Sequence, residues 1–311
     1  MEKFAFLFPG QASQYVGMGR DLCAEFAAAQ ATFDEADELL GFALSKLCFD
    51  GPEEELRQTA VTQPAVFVHS MAAWRLLEAE GLKPACTAGH SLGEYSALVA
   101  AGALEFAAGL ALVRKRGELM QQAGAERPGS MAAIIGLEDE LVVDLCRQAS
   151  SVGIVVAANF NAPGQLVVSG EQAGVARLGE LAGEAGAKKV IELAVSGAFH
   201  SPLMAPAAEQ MEGLLREAPI GNSERPVITN VSARPVEDPD ELRQHLIDQI
   251  TQPVRWTESI QCLSGLGVGT ALEVGPGAVL KGMVRRIERG LGVHCVGKAE
   301  EVEAGIAAVS Q

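Results

Sequence analysis

Pro84 to Ala88 is a short apolar stretch that runs straight into Gly89-His90-Ser91-Leu92-Gly93, and Glu94 to Ala101 then reads as a helix. Strand, tight turn and helix in so short a span leave few folds open, and an α/β layer is the natural one. GxSxG in that setting has the form of a nucleophile elbow. Glycines two residues either side of the serine let the turn approach its neighbours closely. The hydroxyl then stands beside a helix N-terminus, whose N–H groups can hold a developing oxyanion. The plainer reading is a helix N-cap serine flanked by turn glycines.

The flanking chain extends the α/β pattern. Lys3 to Phe8 is a buried-strand candidate stopped by Pro9-Gly10. Asp21 to Leu40 and Thr62 to Glu80 read as helices, with Pro64 in the first turn of the second and Gly81 closing it. Glu105 to Gln122 reads as a further helix. Around Gly124 to Ser130 the composition shifts to Gly, Pro and polar residues, a domain boundary.

Beyond it come strand Met131–Ile135, helix Glu138–Ser150, strands Ile154–Ala158 and Gln165–Ser169, helix Glu171–Ala185 and strand Lys188–Leu193. That is β-α-β-β-α-β, the ferredoxin-like order. The expected architecture is therefore an α/β-hydrolase-like core with a parallel sheet, residues 1–124 and 195–311. A small ferredoxin-like domain, residues 125–194, is inserted into it. In the returning half, Met204–Glu217, Pro239–Ile250 and Val279–Arg289 read as helices, and Thr270–Val274 and Val293–Val296 as strands.

Composition removes other classes. Lys and Arg number 24 against 40 Asp and Glu, a net charge of −16, which argues against a nucleic-acid binder. Six scattered cysteines without a CxxC pair suggest neither a disulfide framework nor a zinc site, so no metal is expected. No stretch approaches the roughly 18 to 20 apolar residues of a membrane span, and no targeting segment is visible. The chain reads as soluble and cytoplasmic. Gly265-Leu266-Gly267-Val268-Gly269 precedes a strand instead of following one, so it is not read as a dinucleotide site.

A serine nucleophile needs a base. Of five histidines, His90 adjoins Ser91 on a tight turn and reads as structural support, and His69 lies in an apolar helix as a satisfied core residue. His200, in Ser196-Gly197-Ala198-Phe199-His200-Ser201-Pro202, sits on a loop after the insert, where catalytic groups concentrate. Arg114-Lys115-Arg116 is either a solvated basic helix end or carries a guanidinium for a substrate carboxylate. From composition Gln249 is a surface amide.

Taken together, the motifs resemble the malonyl-CoA:acyl-carrier-protein transacylases of dissociated fatty acid synthesis, over essentially the whole chain. Phe8-Pro9-Gly10-Gln11-Ala12-Ser13-Gln14 is similar to that family's FPGQGSQ, and Gly89 to Ser96 to its elbow. Arg116 falls on its arginine, Asn159 to Gln165 on its asparagine-rich loop, and Gly197 to Ser201 on its histidine loop. Asp248-Gln249 with Pro253 to Trp256 matches its glutamine segment, and Leu272 to Gly277 its E-x-GPG. Each motif alone is weak, and in this order they are specific. Ala12 departs from the family's glycine. If that position needs φ > 0, the alanine is strained.

The resemblance implies a ping-pong acyl transfer. His200 deprotonates Ser91, which attacks the thioester of malonyl-CoA, and the backbone N–H groups of Gln11 and Leu92 hold the oxyanion. The phosphopantetheine thiol of a holo acyl carrier protein then takes the malonyl group. Arg116 would grip the free carboxylate, and Gln249 would orient the histidine through its backbone carbonyl. Phe199 would crowd a methyl branch beside the α-carbon, and Asn159 and Asn161 would help line the site. No cofactor is implied, and the family's discrete members imply a monomer.

Two alternatives remain. A serine hydrolase would need an Asp or Glu between Ser91 and His200 in chain order, and Asp139 and Asp144 are the candidates. The other is a non-catalytic scaffold or a subunit of a larger acyltransferase assembly; neither a carrier-protein serine motif nor a ketosynthase segment is read in the sequence, which favours a discrete enzyme. Since both presumed substrates are anionic, a local cationic surface must offset the net charge. Lys188-Lys189, Lys281, Arg285-Arg286, Arg114 and Lys115 are its candidates.

Overall fold

The computed structural model describes residues 3–310. Ten strands form two sheets. The larger contains β1 (Lys3–Phe8), β2 (Cys86–Gly89), β7 (Val227–Ile228), β8 (Pro235–Val236), β9 (Val268–Val274) and β10 (Gly292–Val296), in the order β10-β9-β1-β2-β7-β8. All its pairs are parallel except β8, which turns back against β7.

The near-continuous apolar run of β1 follows from burial on both faces. Phe4, Phe6 and Phe8 pack into one core with the helices Thr59–Ala79 and Phe106–Glu126. Ala5 and Leu7 point the other way, into a second core with Trp256, Ile260 and Leu280. Since β1 and β2 are parallel neighbours, with Phe8 paired to Gly89, their following loops emerge side by side at the carboxyl edge. Open α/β sheets place their ligand sites at that edge.

The smaller sheet contains β3 (Gly129–Ile135), β4 (Val155–Ala162), β5 (Gln165–Glu171) and β6 (Lys189–Glu192), in the order β4-β5-β3-β6, all antiparallel. Helices Asp139–Ala149 and Gln172–Glu184 cover one face through Ile134, Leu145, Val168 and Leu178. The opposite face gives Met131, Ala133, Ala158 and Val167 to the main core. The protein is thus α/β, with a mostly parallel sheet and a separate antiparallel one.

Several expectations change. Asp21–Leu40 is two helices, Arg20–Glu25 and Ala27–Leu40, because Phe26 is extended at φ −124°. The helix carrying Pro64 begins at Thr59, so the proline lies beyond the first turn and deprives the ladder of one N–H. The Gly124 boundary is masked by a helix that continues to Glu126. The helix Trp256–Gly265 was not legible, since its apolar face is only Trp256, Ile260 and Leu263. Asn159 and Asn161 belong to β4, not to a loop, at register irregularities that free their side chains from simple alternation.

Candidate active site

The elbow forms as expected, and its glycines are obligatory. A Cβ on Gly89 would lie 2.0 Å from the Gly93 carbonyl group, and one on Gly93 would lie 2.2 Å from the Phe8 carbonyl oxygen. Ser91 is held at φ 51°, in the left-handed region that L-residues avoid. Asn230 grips the turn from both sides. Its Oδ1 accepts from the Ser91 N–H at 2.7 Å, and its Nδ2 donates to the Gly89 carbonyl at 2.6 Å.

Ser91 Oγ lies 2.8 Å from Nε2 of His200, and His200 Nδ1 lies 2.8 Å from the Gln249 carbonyl oxygen. A carbonyl only accepts, so Nδ1 carries the proton and Nε2 presents its lone pair to the serine hydroxyl. Among the described residues no carboxylate stands at Nδ1. Asp139 and Asp144, the hydrolase candidates, lie on the outer helix of the small sheet. Burial, with the Arg116 charge adding to it, pushes the pKa of His200 down to about 3, so the imidazole is neutral and ready to accept a proton.

Arg116, on the helix Phe106–Glu126, is 1 % exposed. Its Nη1 donates to Gln63 Oε1 at 2.8 Å, and its Nη2 to Gln249 Oε1 at 2.9 Å and Ser91 Oγ at 3.0 Å. Nε has no partner among the described residues. A buried guanidinium satisfied only by neutral oxygens is poised for an anion. Gln249 is fully buried at the end of the helix Pro239–Gln249, not a surface amide, and its Nε2 donates to the Ser91 carbonyl at 3.0 Å.

Ser91, His200, Arg116 and Gln63 line a cavity of about 190 Å³ with Gln11, Leu92, Met131, Asn159, Asn161, Val167, Phe199 and Met283, while Gln249 stands behind Arg116. Asn161 Oδ1 lies 2.8 Å from His90 Nε2. That bond and edge-on packing against Trp256 give His90 the supporting role expected of it. Ala12 has φ 80°, so the strained alternative applies. His69 is buried, but its ring has only a weak contact to the Gly297 backbone, and burial lowers its pKa to about 4.

Three participants were not anticipated. Gln63 and Asn230 carried no motif signal. Glu94 lay within the elbow motif, where a carboxylate in the first turn of a buried helix was the available clue. Of the cationic candidates, Arg114 and Lys115 are tied to Glu118 at 2.9 and 2.8 Å. Arg285 and Arg286 are exposed on the helix Val279–Ile287, with Arg289 just beyond, and the three gather beside Pro163. That helix starts at the cavity wall, where buried Glu273 accepts from the N–H groups of Leu280 and Lys281 at 2.9 and 2.8 Å.

Among the described residues no cluster of three or more His, Cys, Asp or Glu is placed to hold a metal ion, and no helix is long and apolar enough to cross a membrane.

The acyl transferase domain family matches residues 5–302. The chain is 47 % identical over 307 residues to a malonyl CoA-acyl carrier protein transacylase of Bacillus subtilis strain 168, covering 98 % of this chain and 97 % of the relative. It is 44 % identical over 288 residues to that of Escherichia coli K12, covering 92 % and 93 %. Among solved structures, a malonyl CoA-acyl carrier protein transacylase of Coxiella burnetii superposes with a TM-score of 0.96 at 38 % identity, covering 100 % and 98 %. A malonyl-transacylase in complex with its type II polyketide acyl-carrier protein gives 0.96 at 42 %, covering 98 % and 99 %.

Proposed function

The chain belongs to the acyl transferase family and, within it, to the malonyl CoA-acyl carrier protein transacylases, and from that membership we propose the following course for its reaction. The enzyme transfers a malonyl group from malonyl-CoA to the phosphopantetheine thiol of an acyl carrier protein, through an acyl-serine. The observation that carries the assignment of residues is the 2.8 Å contact between Ser91 Oγ and a neutral His200.

His200 Nε2 takes the hydroxyl proton as Ser91 Oγ bonds to the thioester carbon. The carbonyl oxygen becomes an oxyanion facing the backbone N–H groups of Gln11 and Leu92. Neither N–H has an acceptor among the described residues, which supports that role. Collapse expels the CoA thiolate, which His200 protonates. The carrier thiol then gives its proton to His200 and attacks malonyl-Ser91, and His200 returns that proton to Ser91 Oγ as the serine leaves.

Arg116 pairs with the malonyl carboxylate, exchanging a neutral oxygen partner for an anion. Phe199 and Asn159 shape the wall beside the acyl group. Asn161 acts through His90, and Gln249 fixes both the base and the guanidinium. Every step rests on side chains and backbone of this chain.

In the same reading, residues 1–124 and 195–311 are a hydrolase-like catalytic domain and residues 125–194 a ferredoxin-like insert. The strand order β4-β5-β3-β6 with two helices on one face supports the second half of that description. The protein acts as a cytoplasmic monomer, and its carrier partner docks on the arginines beside Pro163.

Intact-mass spectrometry after incubation with malonyl-CoA tests the nucleophile. One malonyl adduct is expected on the protein and none on Ser91→Ala. An adduct that persists in the variant sinks the assignment. Free malonate formed without an acceptor thiol, at the rate of thiol transfer, would make the protein a hydrolase.

A further inference from the structure

Among the described residues the charge on Arg116 has no direct counter-ion. Its hydrogen-bond partners Gln63, Gln249 and Ser91 are neutral, although a fully buried guanidinium is costly without an anion nearby. Two buried carboxylates occur among the described residues, and one of them, Glu273, caps a helix at the cavity wall. The other is Glu94, on the helix that leaves the elbow. Its Oε2 accepts from the Asn230 N–H at 2.8 Å and from Gln249 Nε2 at 3.1 Å, while Oε1 has no partner. Gln249 turns its Oε1 to Arg116, so one amide stands between carboxylate and guanidinium with its dipole aligned to both.

We propose that Glu94 is a positioning residue for the substrate carboxylate: relayed by the Gln249 amide, its charge partly balances Arg116 and sets how tightly the guanidinium holds a malonyl group. The inference rests on the role given to Arg116 above. An arriving malonyl carboxylate shares Arg116 with Glu94 and is repelled by it. Binding is thereby moderated in the acyl-enzyme, from which the group must still be passed on. Overly tight ground-state binding would slow that second step. An acetyl group brings no carboxylate and is indifferent to Glu94. Burial outweighs the Asn230 N–H, the Gln249 amide and the Arg116 charge and raises the pKa of Glu94 to about 7, so the group is ionised under mildly alkaline conditions.

Glu94→Gln keeps an oxygen for Asn230 and Gln249 and removes only the charge. Assayed at about pH 8, the KM for malonyl-CoA should fall roughly three- to tenfold, with that for acetyl-CoA within about twofold of the parent. In an Arg116→Ala background the malonyl effect should vanish. Equal shifts for both substrates, or a weaker hold on malonyl-CoA, overturn the proposal. Should the variant fail to fold, difference infrared spectra of the parent enzyme carrying 13C-labelled glutamate give the same decision. A buried carboxylate band should move on malonyl loading and stay put on acetyl loading, and a band unmoved by both overturns the proposal. Failure of the parent to load malonyl on Ser91 would instead remove the proposed function itself.

Discussion

Ser91 and His200 meet at 2.8 Å, and both hold a positive φ, 51° and 56°. Each such non-glycine residue costs about 1–2 kcal/mol, so the pair stores strain that the surroundings must hold in place. Asn230 does this for Ser91 through the two bonds that bracket the elbow. The Gln249 carbonyl fixes the His200 ring through Nδ1.

Asn230→Ala should therefore cripple chemistry beyond its effect on stability. Loss of both bonds lets Ser91 relax, and a displacement of the nucleophile on the order of 1 Å costs roughly a hundredfold in rate. Single-turnover malonyl loading is expected to slow by about that factor in a variant that remains folded by circular dichroism. A rate within twofold of the parent shows that the elbow keeps its shape without the clamp.

Arg116→Ala should separate substrates. The malonyl carboxylate loses its buried partner, and truncating one member of such a pair costs about 2–5 kcal/mol. Loading from malonyl-CoA should fall at least about thirtyfold while loading from acetyl-CoA holds or rises. Matching losses for the two thioesters assign Arg116 to the fold alone.

Much of this site was legible because its chemistry is local. The elbow and the histidine loop each occupy a few consecutive residues whose types fix the turn and the reactive group. Gln249 was reachable only by resemblance, and so was the choice of Arg116 within the basic run Arg114-Lys115-Arg116, which by itself reads equally as a solvated helix end. Gln63 and Asn230 escaped because their roles exist only in long-range contacts, 53 residues from Arg116 and 139 from Ser91. The β4 asparagines misled for a related reason. The resemblance implied a loop there, but pairing with β5 holds Asn159 and Asn161 in an irregular strand.

Ala12 offers a test of backbone strain. At φ 80° its Cβ is unfavourable, whereas glycine adopts that geometry freely at some cost in unfolded-chain entropy. Ala12→Gly should net about 0.5 kcal/mol of stability, read as a higher urea midpoint at unchanged slope. A lower midpoint means the strain is already relieved by the Ala12 N–H, which donates to Gln14 Oε1 at 2.8 Å.

The depressed His200 sets the acid side of the reaction. An ordinary imidazole, near 6.5, would lose its base function in weak acid. With a pKa of about 3, His200 stays neutral well below that, so single-turnover loading should persist through pH 5 without an imidazole limb. The linkage runs in one direction. Between about 3 and 6.5 the unfolded chain binds this proton and the native state does not, so stability falls as pH falls across that window. A loading rate that halves near pH 6.5 contradicts the buried, neutral base.

The surface arginines carry the last prediction. A chain of net charge −16 must meet an anionic carrier through a local exception. Arg285, Arg286 and Arg289 form one, since none is paired with a carboxylate among the described residues, while Arg114 and Lys115 are held by Glu118. Arg286 also bonds Pro163 at 3.0 Å and Gln165, fastening the helix Val279–Ile287 to the β4–β5 turn. The same helix contributes Val279, Leu280 and Met283 to the cavity that holds Ser91, which joins its arginines to the site. Reversing Arg285 and Arg289 to glutamate should raise the KM for holo carrier protein about tenfold or more, with kcat little changed. The parent's KM should climb with added salt and the variant's should not. Unaltered carrier kinetics and salt dependence would move docking to the Lys188-Lys189 edge of β6.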